Sequence, residues 1–182
     1  MDTALRPRDG TPLTVGGIKW HVLFTWAVID QLQEEFDLPI SEVMNRLMDP
    51  RTMFSAAGHI ITALLDDVLY RTNGSEMTAP TFDQVMHVCD ISQTNDIVAA
   101  LLKAYGVNMP EIDDEFVDDD EEPEKLNIAR LLIIGKTELG MTEEEFWKTT
   151  PRKYFKLFDE YQQLKGTKKK VKKSGGGIDD LP

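Results

Sequence analysis

Cysteine is almost absent from the chain: Cys89 stands alone among 182 residues. A single thiol excludes an intramolecular disulfide and any zinc cage built on several cysteines. Lying in "QVMHVCDI", it reads as a small buried apolar residue. There are only three histidines. His21 and His87 are scattered and support no triad, and His59 with Asp66 and Asp67 lacks a second ligand pair, so a helix-edge role is expected. Long apolar runs are lacking too: nothing approaches the roughly 18 to 20 residues a membrane helix needs, and "MDTALRPRDG" carries no apolar signal region. A cytosolic protein without a membrane partner is the expectation. Ser41, Ser55 and Ser92 occupy cap or helix-interior contexts without a nucleophile elbow, and no glycine-rich loop resembles a phosphate cradle. No catalytic residue, metal ligand or cofactor site is assigned, and the chain is read as a non-enzyme.

Acidic charge, by contrast, is plentiful, and it is unevenly spread. The formal net charge is −12. Residues 1–110 carry −7, 111–124 carry −10, 125–162 carry +1 and 163–182 carry +4. The run "EIDDEFVDDDEEPE" holds ten acids in fourteen residues. Self-repulsion and little apolar area predict an extended linker reaching at most about 50 Å. Six lysines between Lys165 and Lys173, followed by three glycines, predict a flexible tail over 165–182. On so acidic a chain that tail is expected to be solvated or to pair with the linker, rather than to bind nucleic acid.

Turn and cap signals organise the rest. "PLTVGGIKWHV" places two β-prone runs around Gly16-Gly17, a two-residue hairpin signal. Thr25 caps a helix with Trp26, Ile29, Leu32 and Phe36 on one face, ending before Pro39. A further element with Val43, Met44 and Leu47 opens near Ser41 and ends at Asp49-Pro50. "MFSAAGHIITALLDDVLY" is apolar nearly all round and is expected at the centre of the core. Thr81 and Gln84 form a capping box, Ser92 or Thr94 starts "NDIVAALLKAY", and Gly106 is expected to cap its end. Residues 1–110 therefore read as a mainly helical domain with an N-terminal hairpin.

Beyond the linker, Pro123 is expected in the first turn of a helix that ends at Gly140. Thr142 and Glu145 form another capping box, with Met141 and Phe146 at the two positions of a hydrophobic staple. Thr150-Pro151 opens a last helix carrying Tyr154, Phe155, Phe158 and Tyr161 on one side. Residues 125–164 are thus a small three-helix module, only marginally stable unless it packs on something. Phe146, Trp147, Tyr154, Phe155 and Phe158 are its candidate partner-binding residues or its own core, since aromatics dominate both. Trp147, rotated about 100° from Phe146, is the one expected to face outward.

The stretch "LNIARLLIIGKTELGMTEEEFWKTTPRKYFKLFDEY" resembles the C-terminal module of the long, two-domain tail assembly chaperones of long-tailed bacteriophages. Gly140, Met141, Thr142, Glu145, Phe146, Trp147, Thr150 and Pro151 match its pattern. "IKWHVLFTWAVIDQLQEEFDLPISEVM" and "TAPTFDQVMHV" are similar to the N-terminal domain of those proteins. The resemblance implies a virion-assembly factor in the host cytoplasm, absent from the finished virion. Its N-terminal domain would coat the tape measure protein in multiple copies, and its C-terminal module would recruit the tail tube protein. The lysine-rich tail has no counterpart in that pattern. From a different class, an acidic protein could mimic DNA charge and inhibit a host nucleic-acid-binding protein. That alternative needs carboxylates at regular spacing on a rigid surface.

Overall fold

The computed structural model describes residues 10–72, 78–89, 93–110 and 124–166. The fold is mainly helical behind an N-terminal hairpin, as the sequence predicts. Strands β1 (Thr11–Val15) and β2 (Ile18–Val22) pair antiparallel with Val15 opposite Ile18. Gly16 and Gly17 have φ of 57° and 77°, the two left-handed conformations that a tight turn matched to strand twist requires. Thr11, Leu13 and Val15 point into the core while Pro12 and Thr14 point out, the alternation of a half-covered strand.

Helix α1 (Trp26–Phe36) begins at Thr25, whose hydroxyl oxygen accepts the Val28 N–H. The same hydroxyl donates 2.7 Å to the Asp67 carboxylate, so one residue both caps α1 and ties it to α3. After the left-handed Asp37, α2 (Ile40–Asn45) follows Pro39 without a side-chain cap. Helix α3 (Met53–Arg71) buries nine of its 19 residues and packs on α1, β2, α4 and α5. It is the central helix the sequence predicts, and each large apolar side chain buried along it contributes about 1.5–3 kcal/mol. Helix α4 (Phe82–Val88) starts at the Thr81–Gln84 capping box, with both reciprocal bonds present. Cys89 caps its end, half-buried against the core, and burial raises its thiol pKa.

Several boundaries differ from expectation. Helix α2 ends at Asn45, short of the expected Asp49-Pro50, and Gln93, without a side-chain cap, precedes the helix expected to start at Ser92 or Thr94. Gly106 does not cap α5 (Thr94–Asn108), which runs two residues further. The Asn108 amide donates 2.6 Å to the Ala104 carbonyl, and Pro110 forces Met109 into extended backbone, which ends the helix there. Helix α6 (Ile128–Glu138) starts later than the expected first turn at Pro123, which lies outside the described residues. Asn127 caps it by accepting the Arg130 N–H at 3.0 Å. Lys125 and Leu126 stay outside the helix, where they make long-range contacts.

Helices α7 (Glu143–Trp147) and α8 (Pro151–Leu164) complete the C-terminal helical unit. That unit packs on α1 and α5, and its buried side chains join the same hydrophobic cluster as the rest. The expected linker up to residue 123 and the tail from 167 lie outside the described residues. No helix among the described residues is long and apolar enough to cross a membrane.

Candidate partner-binding surface

The pattern from Gly140 to Pro151 builds two sharp chain reversals. Gly140 has φ of 64°, which sends the chain back after α6, and Met141 N–H donates 3.0 Å to the Gly135 carbonyl. Thr142 accepts the Glu145 N–H at 3.2 Å, while Glu145 accepts the Thr142 N–H at 2.8 Å and its hydroxyl at 2.9 Å. The backbone bond from Thr142, then its hydroxyl, hold the Glu145 carboxyl below its ordinary value. Thr150 caps α8 by accepting the Lys153 N–H, with Pro151 in the first turn. These six residues, Gly140, Met141, Thr142, Glu145, Thr150 and Pro151, thus aim α7 and α8.

The inner face of the unit rests on α1. Trp26 is fully buried and stacks on Phe146 with ring centres 5.7 Å apart and planes 5° from parallel. Tyr154 and Phe155 meet the same indole edge-on at 5.6 and 6.0 Å. The Trp26 backbone N–H donates 3.0 Å to the Thr149 carbonyl. Gln33 completes the joint: its amide donates 3.2 Å to the Leu126 carbonyl and accepts the Leu126 N–H at 2.9 Å. Lys125 pairs with Asp37, and hydrogen bonding to that ammonium, followed by its charge, lowers the Asp37 pKa.

The five candidate aromatics divide accordingly. Phe146 and Tyr154 are 0% and 1% exposed, so they belong to the core and are not available to a partner in this state. Tyr154 also donates 2.8 Å to the Leu131 carbonyl. Gly135 makes room for both rings, since a Cβ there would lie 3.2 Å from Tyr154 and 3.4 Å from Phe146. Phe155 is half-buried against Trp26, and Phe158 is half-buried one turn on. Trp147 does not face freely outward: it is half-buried, packed against the core and edge-on to Phe146 at 5.2 Å. A rotation of about 100° from Phe146 carries the ring only part of the way to solvent, so it stays at the edge of the core. Trp26, Gln33 and Leu126 were not singled out from sequence as joint residues. Trp26 carries only a core-face signal, and Gln33 carries none.

The outer face of the unit is open. A cavity of about 650 Å³ lies beside α7. Leu139, Met141 and Leu157 supply apolar lining, and Glu144, Glu145, Lys148 and Lys153 supply charge. Lys148 pairs with Glu144 at 2.7 Å and lies 5.0 Å from the centre of the Tyr70 ring on α3. At the far end of α8, Tyr161 and Lys165 both donate to Glu138, which lowers its carboxyl pKa, Tyr161 contributing most. His59 is held by Glu35 and stacks on Phe82 at 4.2 Å. No group of three or more His, Cys, Asp or Glu among the described residues could hold a metal ion. Comparison with protein-family models, curated proteins and solved structures finds no match for the chain.

Proposed function

We propose that the protein is a tail assembly chaperone of a long-tailed bacteriophage. On this proposal it binds the tape measure protein in multiple copies, keeps it soluble in the host cytoplasm and recruits tail tube subunits. It acts by binding and does no chemistry of its own. The observation that carries the reading is the part played by the matching residues: Gly140, Thr142, Glu145 and Thr150 act through backbone conformation and caps, so the shared pattern codes a shape. That shape is a turn, a short helix and a proline-started helix with one covered face and one open, grooved face. A recruiting module needs such a two-sided piece, one side for its carrier and one for its cargo. Tube recruitment is assigned to the grooved side together with the half-buried Trp147 and Phe158.

Co-expression with a tape measure protein of a long-tailed bacteriophage tests the proposal. The full chain should move the tape measure protein from the insoluble to the soluble fraction. Retention in 1 M salt is expected, since apolar capture persists where exposed charge pairs are screened. A complex that collapses with salt would instead favour charge mimicry. An insoluble tape measure protein in the presence of the full chain would overturn the proposal.

A further inference from the structure

We propose that the face of α1 around Trp26 and Gln33 is a helix-binding socket that the chain fills with its own C-terminal unit. A partner's amphipathic helix competes for this socket and releases the unit. Three observations converge on it. First, the joint is made by separable groups: one indole against three rings, one backbone bond at Thr149, one glutamine amide at Leu126, one exposed ion pair, Lys148 over the Tyr70 ring and the packing of α8 on α5. Second, the fit is incomplete. Trp26 is 0% exposed, yet its Nε1 has no hydrogen-bond partner among the described residues, and buried indole N–H groups ordinarily find one. An occupant bringing a carbonyl, carboxamide or carboxylate to that point would make the bond that the unit leaves unmade.

Third, the unit is lightly covered elsewhere. Only Ile128 and Gly135 are buried on α6, and Ile133 is 61% exposed. Thirteen residues, 111–123, join the N-terminal region that carries the socket to the unit. A connection of that length spans at most about 45 Å, so a released unit stays near its carrier at high effective concentration and can return. The competitor is an apolar-faced helix because the present occupant meets the socket with helices: α7 presents Phe146 and α8 presents Tyr154 and Phe155 to Trp26. The proposed chaperone role supplies the competitor's identity and nothing else here. On that role, capture of a helical protein would free the recruiting unit, so recruitment would begin only on loaded carriers.

The probe is a fluorescently labelled peptide of residues 124–166 of this chain, titrated with the full-length protein and followed by anisotropy. Wild-type protein should bind it weakly, because its own unit occupies the socket. Phe146→Ala in the protein, with the probe unchanged, loosens the resident unit and leaves the socket intact, so binding should tighten at least tenfold. Adding Trp26→Ala should abolish that gain. Leu126→Pro in the protein, which removes the N–H held by Gln33 together with the leucine side chain packed against the core, should shift affinity the same way by a few-fold. Equal affinity of wild type, Phe146→Ala and Leu126→Pro would overturn the proposal, as would a Phe146→Ala gain that survives loss of Trp26. Probe binding as expected beside a tape measure protein left insoluble would keep the socket and discard the chaperone role.

Discussion

Helices α3 and α6 make an instructive pair: both are rich in aliphatic residues, yet nine of 19 residues are buried in the first and two of 11 in the second. The difference is one of neighbours. Helix α3 is enclosed by α1, α4, α5 and β2, so the N-terminal region builds a core of its own. The C-terminal unit gives α6 only two companions, the short α7 and α8, and its fully buried aromatic side chains, Phe146 and Tyr154, converge on an indole borrowed from α1. Caps and turns settle where its helices begin, and Trp26 settles where they rest.

If the borrowed indole is the larger part of that unit's stability, Trp26→Ala should be the most damaging single change, costing about 3–5 kcal/mol. Thermal melts would show it. A loss no larger than about 1 kcal/mol would mean the unit stands by itself, and the contrast with α3 would fail. Gln33→Ala comes next, at roughly 1–3 kcal/mol, because it strands the N–H and carbonyl of Leu126 in a partly covered site. In urea melts it should lower the midpoint more than removal of the exposed cap hydroxyl by Thr142→Ala, for which about 1 kcal/mol is expected. Thr150→Gly with Pro151→Ala should cost at most about 1–2 kcal/mol, concentrated in α8. Hydrogen exchange would locate that loss, and equal acceleration in α3 would show that the two regions open as one.

The smallest effect concerns pH and sits in the N-terminal region. Asp67 is buried, and burial raises its pKa despite the opposing Arg71 charge and the hydrogen bonds from Thr25 and Arg71. A carboxyl whose folded pKa exceeds its unfolded one binds its proton more tightly when folded. Its contribution is therefore greatest below roughly pH 4 and declines as pH rises through the folded value. Asp30 shifts the same way, through burial and then Glu34. Urea midpoints between pH 4 and 7 should fall less steeply for Asp67→Asn than for the wild type. An unchanged slope would remove Asp67 from the account.

Local signals were readable wherever the chain writes them within four residues. The glycine pair at 16–17, the Thr25 cap, the boxes at Thr81 and Thr142 and the Thr150-Pro151 start are all formed. Gly106 misled because a glycine inside a helix and one ending it look alike until Pro110 and the Asn108 amide are weighed. The late start of α6 follows from Leu126, whose backbone is engaged by a residue 93 positions away, a pairing with no periodicity to betray it. The aromatic set was ambiguous for a physical reason: cores and interfaces select the same side chains, and only the position of Trp26 separates Phe146 and Tyr154 from Phe158.

The amide of Gln33 bonds the backbone N–H and the backbone carbonyl of Leu126. Its grip is therefore indifferent to the letter written there, proline excepted, while position 33 itself admits almost no synonym. Asparagine is one methylene short, and glutamate offers no donor. The mutational freedom of the two ends is lopsided. The clamp also acts as a vernier: sliding the chain by one residue moves the next peptide group by about 3.3–3.6 Å and turns it away. One side chain thereby fixes the register at residue 126, where the chain enters the unit.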